Sequence, residues 1–366
     1  MILGRHRKLI SLLILLLSWL LLLAGCRNSD HHADNQLQGH IALIIEPEDR
    51  AGEAMAARLS QTDAFKDLEV VAVKPGLAAE EQLRLLSEEG YLLIIASAPE
   101  YAMDVTIVAP DFPRTVYAIF GAVVEGDNVA SIIPDFNASL TKAGALAVVA
   151  ADYLPINEPQ QELTRQEPTQ QESAQQKPSQ NEPTQQELTV AFISAVANPK
   201  REEWENAFKE GVTLADRSIN IFSAAVGQEN GRGSSQRYSL DQLLDEALQQ
   251  NAYLICIDGN CLAKDQVTMS KKLSIQNAYL IGIEYDISAQ FPEKVIASVV
   301  AFPEVILLPI LENARHHKFY GGVFKPSDAD GGVGLANLQG LPLDIEELLD
   351  DLHGTSNNQE DLPTVR

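Results

Sequence analysis

Short apolar runs alternate with amphipathic stretches along most of this chain, and that rhythm admits few folds. "HIALIIE" (40–46), "LEVVAV" (68–73), "YLLIIAS" (91–97), "TVYAIFG" (115–121) and "NVASII" (128–133) are too short for buried helices and read as buried strands. Between them, 53–65 and "AAEEQLRLLSEEG" (78–90) have helical spacing, the second stopping at Gly90. "NASLTKAGALAVVAADYL" (137–154) reads as a long helix of small residues. The rhythm resumes with strands at 188–194, 219–226, 252–257, 278–284 and 295–300, and with helices at 199–216, 239–251, 262–273 and 303–316. Strands near 319–324 and 332–336 and a helix over 343–352 complete it. Alternation of this kind predicts an α/β chain of two doubly wound lobes joined by a hinge, and 366 residues suffice for two cores.

The rhythm breaks once. Residues 157–188 are Gln, Glu, Pro, Thr and Ser in near-repeats such as "EPTQQES" and "EPTQQELT", with Pro159, Pro168, Pro178 and Pro183 against any continuous helix. So little apolar surface predicts a disordered insertion at the first crossing between lobes. Lobe one is then 39–156, lobe two 189–352 with returning strands at its end, and 353–366 a polar tail.

The N-terminus carries Arg5, Arg7 and Lys8, then an apolar run, then Leu23-Ala24-Gly25-Cys26. This is the layout of a signal peptide over 1–25. Its end resembles the lipobox of bacterial lipoproteins, which implies acylation of Cys26; a plain membrane-spanning anchor is the other reading. Residues 26–38 form a polar tether, and the expected location is the outer face of the cell membrane, held by lipid. Cys256 and Cys261 remain, either as a small disulfide loop or as two thiols.

The formal net charge of −24 argues against a nucleic-acid partner. No nucleophile elbow, phosphate loop or histidine metal motif occurs, so neither an enzyme nor a metal or cofactor is expected. "DADGGVGLAN" (328–337) has Pro326 and Asn337 where a calcium loop needs acids, and no βαβ unit follows it. It reads as a polar turn in which Gly331 and Gly332 relax the backbone before a strand at 333–336.

An ordered set of motifs resembles the basic membrane protein family. These are "YLLIIAS" (91–97), "FPRTVYAIFGAVV" (112–124), "NVASI" (128–132) and Ala143-Gly144 in lobe one, and "AFISAVANPKREEWENAFKEGV" (191–212), "IGIEYD" (281–286), "KVIASVV" (294–300) and "GGVGLAN" (331–337) in lobe two. The family's members are lipoproteins of the type I periplasmic-binding-protein fold that capture nucleosides for ABC importers. The resemblance implies Rossmann-like lobes closing on a small polar ligand and an ABC permease as partner. It places Asp49 in the first ligand loop, Trp204 as a helix-borne aromatic able to stack on a base, and Glu284 and Asp286 as acceptors for ribose hydroxyls. Trp204 equally suits a core position, and the two acids equally suit a solvated loop. Ala51, Gly52 and Glu53 stand where the family has Ser, Phe and Asn, Phe136 and Ala138 where it has carboxylates, and Ala301 where it has Lys. Asp258 and Asn260, just after strand 252–257, are further candidates from their strand-end position alone. Med-type competence regulators resemble the same family, so a regulatory or scaffolding lipoprotein with a degenerate pocket is the alternative.

Overall fold

A computed structural model describes residues 39–47, 49–74, 78–154, 188–216, 218–228, 237–262, 269–273 and 277–342, with 345, 347 and 349. The signal peptide, Cys26, the tether, all but the last residue of the insertion, and the polar tail lie outside the described residues, as do parts of the helices expected at 262–273 and 343–352.

The chain forms two compact units. The first takes the described residues up to Gly52, Leu59–Ile132 and Leu307–Val323; the second takes Glu53–Arg58, Ile133–Ile306 and the described residues from Phe324.

In the first unit, β1 (Ile41–Ile45), β2 (Leu68–Ala72), β3 (Leu93–Ala96), β4 (Val116–Phe120) and β5 (Val129–Ile132) pair in parallel. With β11 (Gly322–Phe324) at one edge, the sheet runs β11-β5-β4-β3-β1-β2. The inner strands are buried along their whole length while the edge strands are largely exposed, which is why only the inner ones read as unbroken apolar runs. Helices α1 (Arg50–Leu59), α2 (Ala79–Glu88) and α3 (Ala102–Val108) connect these strands. Helix α3 was not expected from the sequence; only Val105 and Val108 of its seven residues are buried, too short a stripe to announce a helix.

The second sheet repeats the plan with β6 (Thr189–Ala195), β7 (Asn220–Val226), β8 (Ala252–Asp258), β9 (Tyr279–Glu284), β10 (Val295–Ala301) and β12 (Val333–Ala336) in the order β12-β10-β9-β8-β6-β7. All pairs are parallel except β10 with β12, where Val300 faces Gly334. Its helices are α4 (Asn137–Val149), α5 (Arg201–Ala215), α6 (Leu240–Gln249) and α7 (Pro303–Arg315), the last running from this unit into the first. Ser239 and Gln242 form a reciprocal capping box that starts α6.

The sequence reading ended lobe one at 156, yet the structure groups α4 with the second unit. The reason is packing. Helix α4 buries Leu140, Thr141, Ala143, Gly144, Ala145, Leu146 and Ala147, too much for a helix with one wet face. Helix α5 meets it with Trp204, Ala207, Phe208, Gly211 and Val212. At the crossing the two backbones touch: a Cβ on Gly144 would overlap the Phe208 carbonyl oxygen, and one on Gly211 would overlap that of Thr141. The turn 328–332 adds a polar tie. Asp328 accepts from Ser139 Oγ at 2.8 Å and pairs with Lys142 Nζ at 2.7 Å. Asp330 Oδ1 accepts the Ser327 and Gly332 amides at 3.0 and 2.8 Å, and Gly331 takes φ 72°. The expected polar turn is present and also anchors α4.

Because both obstructions are backbone atoms, Gly211→Ala or Gly144→Ala forces the helices apart. Each is expected to cost about 1–3 kcal/mol in urea denaturation. A loss within error for both would show that the helices separate freely.

Candidate functional site

Each sheet reverses its strand order once, between β1 and β3 in the first unit and between β6 and β8 in the second. At such a point the loops leaving two neighbouring strands diverge and open a crevice at the strands' carboxyl ends. In each unit an acid reaches across that crevice.

In the second unit the acid is Asp258, the last residue of β8 and fully buried. Its Oδ2 accepts from Asn198 Nδ2 at 2.9 Å and from the Ala195 amide at 3.4 Å, both from the end of β6 or just beyond. Its Oδ1 accepts the Asn260 amide at 3.0 Å. A buried carboxylate needs such partners, and here they stitch the two loops together. Glu284 ends the neighbouring strand β9 and is half-buried, and Asn260 Nδ2 donates to its Oε2. Burial first, and the negative charge of Asp258 second, push the Glu284 carboxyl up from 4.5 to about 8, against the lowering effect of Asn260. Its backbone sits at φ 79°, left-handed and uncommon for glutamate, a strain that the surrounding structure must hold in place. Gly259 is required beside it, since a Cβ there would overlap the Tyr285 ring, whose hydroxyl donates to the Gly259 carbonyl at 3.0 Å.

Asp286 follows two residues later. Its Oδ1 accepts the Ser288 amide at 2.9 Å and Ser298 Oγ at 3.3 Å, while Asn337 Nδ2 donates to its Oδ2. Asn337 closes the segment 328–337 and takes φ 56°. Asn260, Glu284 and Asp258 therefore converge, with Asp286 on the loop after β9.

Trp204 is 4 % exposed, in the core with Phe136 edge-on at a ring separation of 5.5 Å, the setting of a packed aromatic. Cys256 and Cys261 are free thiols, both pushed up by burial and then by Asp258. This decides the cysteine question left open by spacing.

In the first unit the bridging acid is Asp49, in the loop after β1. Its Oδ2 accepts from Ser97 Oγ, just past β3, at 2.6 Å, and its Oδ1 accepts the Gly52 amide at 2.9 Å. Close by, the Tyr101 hydroxyl is buried without a hydrogen-bond partner among the described residues. Burial, then the charges of Glu46 and Asp49, push it up. Ser97, Tyr101, Asn198, Ser298 and Asn337 escaped the sequence reading. They lack a motif, although Ser97 directly follows β3 and Asn198 lies in the loop just after β6. Among the described residues no cluster of His, Cys, Asp or Glu is suited to a metal ion, and no helix is long and apolar enough to cross a membrane.

No family model matches this chain, and no curated protein matches it. Solved structures do. A transcriptional activator of the comK gene from Bacillus halodurans aligns over 89 % of this chain and 100 % of its own, with a TM-score of 0.60 at 16 % identity. ABC transporter solute-binding proteins from Aeropyrum pernix K1 (TM-score 0.58, 15 % identity, 89 % and 94 % covered) and Conexibacter woesei DSM 14684 (0.60, 14 %, 88 % and 98 %) align as well. The chain has the two-lobe periplasmic-binding-protein fold.

The proton on Glu284 has a thermodynamic consequence. The unfolded carboxyl loses its proton near 4.5, the folded one only near 8, so between these values the unfolded chain binds fewer protons. Stability therefore falls as pH rises through that window. Glu284→Gln removes this contribution. Its stability relative to the native chain should rise between pH 5 and 8.5 in denaturant titrations; a constant difference would contradict the burial of that charge.

Proposed function

We propose that this protein is an extracytoplasmic substrate-binding lipoprotein, anchored through acylated Cys26, that captures a small polar ligand such as a nucleoside for an ABC permease by closure of its two lobes. The reading rests on one observation above the others: each unit spans its switch-point crevice with a held acid, Asp49 to Ser97 and Asp258 to Asn198. Fixed acceptors at strand ends suit a ligand rich in hydroxyl and amide donors. Glu284 with Asn260, and Asp286, supply the ligand-facing acceptors in lobe two, and Asp49 that in lobe one. Trp204 acts by packing behind the site. The solute-binding proteins of the same fold support this reading, as does AraP, an arabinose-binding protein from Geobacillus stearothermophilus (TM-score 0.50, 11 % identity, 84 % and 99 % covered). No catalytic step is assigned.

A second reading has its own support in the comK activator of the same fold. In it the pocket is degenerate and the lipoprotein regulates or scaffolds.

Thermal-shift measurements over a nucleoside panel separate the two. Under the first reading at least one nucleoside raises the melting temperature, and Asp286→Ala weakens its binding about tenfold through loss of a charged hydrogen bond. No shift with any nucleoside on a folded protein would remove the nucleoside assignment. Metabolic labelling with a fatty acid should mark the native chain and spare Cys26→Ala.

A further inference from the structure

A cavity of about 500 Å³ lies at the carboxyl ends of β6 and β7, on the far side of β6 from the Asp258 crevice. Its walls include Ala195, Val196 and Val226, joined where the Val196 amide donates to the Val226 carbonyl at 3.0 Å. Val196 keeps 49 % of its surface exposed, an open apolar wall. Among the described residues, the charged ones lining it are Arg201, the first residue of α5, and Arg237, and none is an acid. In a chain with net charge −24, a cavity whose described lining carries two guanidiniums and no carboxylate reverses the prevailing sign.

Neither arginine is committed to a strong partner. Arg201 pairs at 3.5 Å with Glu202, whose side chain is 86 % exposed, a contact that water and salt weaken. Arg237 is exposed and makes no ion pair among the described residues. A guanidinium presents paired donors that match a carboxylate or phosphate, and apolar walls beside it strengthen the attraction by excluding water. The volume exceeds what a bare inorganic anion fills and falls within the range of small-molecule sites.

From this we infer that lobe two carries a second binding site, between β6 and β7, for a small organic anion whose carboxylate or phosphate meets Arg201 and Arg237 and whose apolar body lies on Val196 and Val226. It lies across β6 from the polar-ligand site at Asp258 and Glu284, with Ala195 bordering both. The surrounding negative charge opposes anion approach at long range, so the site favours ligands that add apolar contact to charge.

Calorimetric titration of the full protein at low ionic strength tests this with three probes: benzoate, phenyl phosphate and neutral benzamide. At least one anion should bind and benzamide should not; which anion binds tighter assigns carboxylate or phosphate. Arg201→Ala and Arg237→Ala should each weaken that anion about tenfold, and the double variant should abolish its binding while melting like the native chain. Absence of binding by both anions, equal binding of benzamide, or full binding by the double variant would overturn the proposal.

Discussion

The backbone contact between α4 and α5 holds the second unit together. Two helices approach this closely only where neither carries a side chain at the crossing, and Gly144 and Gly211 supply that gap from both sides. The approach lets Leu140, Leu146, Trp204 and Phe208 share one core with Val190, Phe192 and Ile281 of the sheet. Tyr253 confirms how tightly α4 is drawn in, its hydroxyl donating to the Ala147 carbonyl at 2.6 Å. An element that precedes the insertion in sequence thereby becomes part of the lobe that follows it.

The ends of β8 and β9 bring two acids together. Asp258 is ionisable and fully enclosed, and Glu284 is held beside it in a left-handed backbone conformation. A protonated glutamic acid is both donor and acceptor, so Glu284 can donate a hydrogen bond as well as accept one. Holding that backbone conformation costs local stability.

The repeated βα order was legible because inner parallel strands are buried on both faces and read as unbroken apolar runs. Asp258 and Asn260 were legible from their place at a strand end, and Glu284 and Asp286 only through the resemblance of 281–286 to a family motif. Other features were not legible. Lobe membership of α4 depends on a glycine contact between residues more than sixty positions apart. Tyr101 and Ser97 matter through Asp49, a relation created only when β1 and β3 lie side by side. Trp204 had two readings from sequence, and its edge contact with Phe136 belongs to tertiary packing.

Asp328 ties the tail end of the fold to α4 through Ser139 and Lys142, nearly two hundred residues earlier. A ribosome makes α4 long before that partner exists. Until the turn at 328 and strand β12 emerge, the growing chain holds α4 without its polar clasp and β10 without its antiparallel neighbour. Long-range closure of this kind is slow and leaves apolar surface open in the interim. That delay leaves the second unit incompletely closed until synthesis is nearly complete.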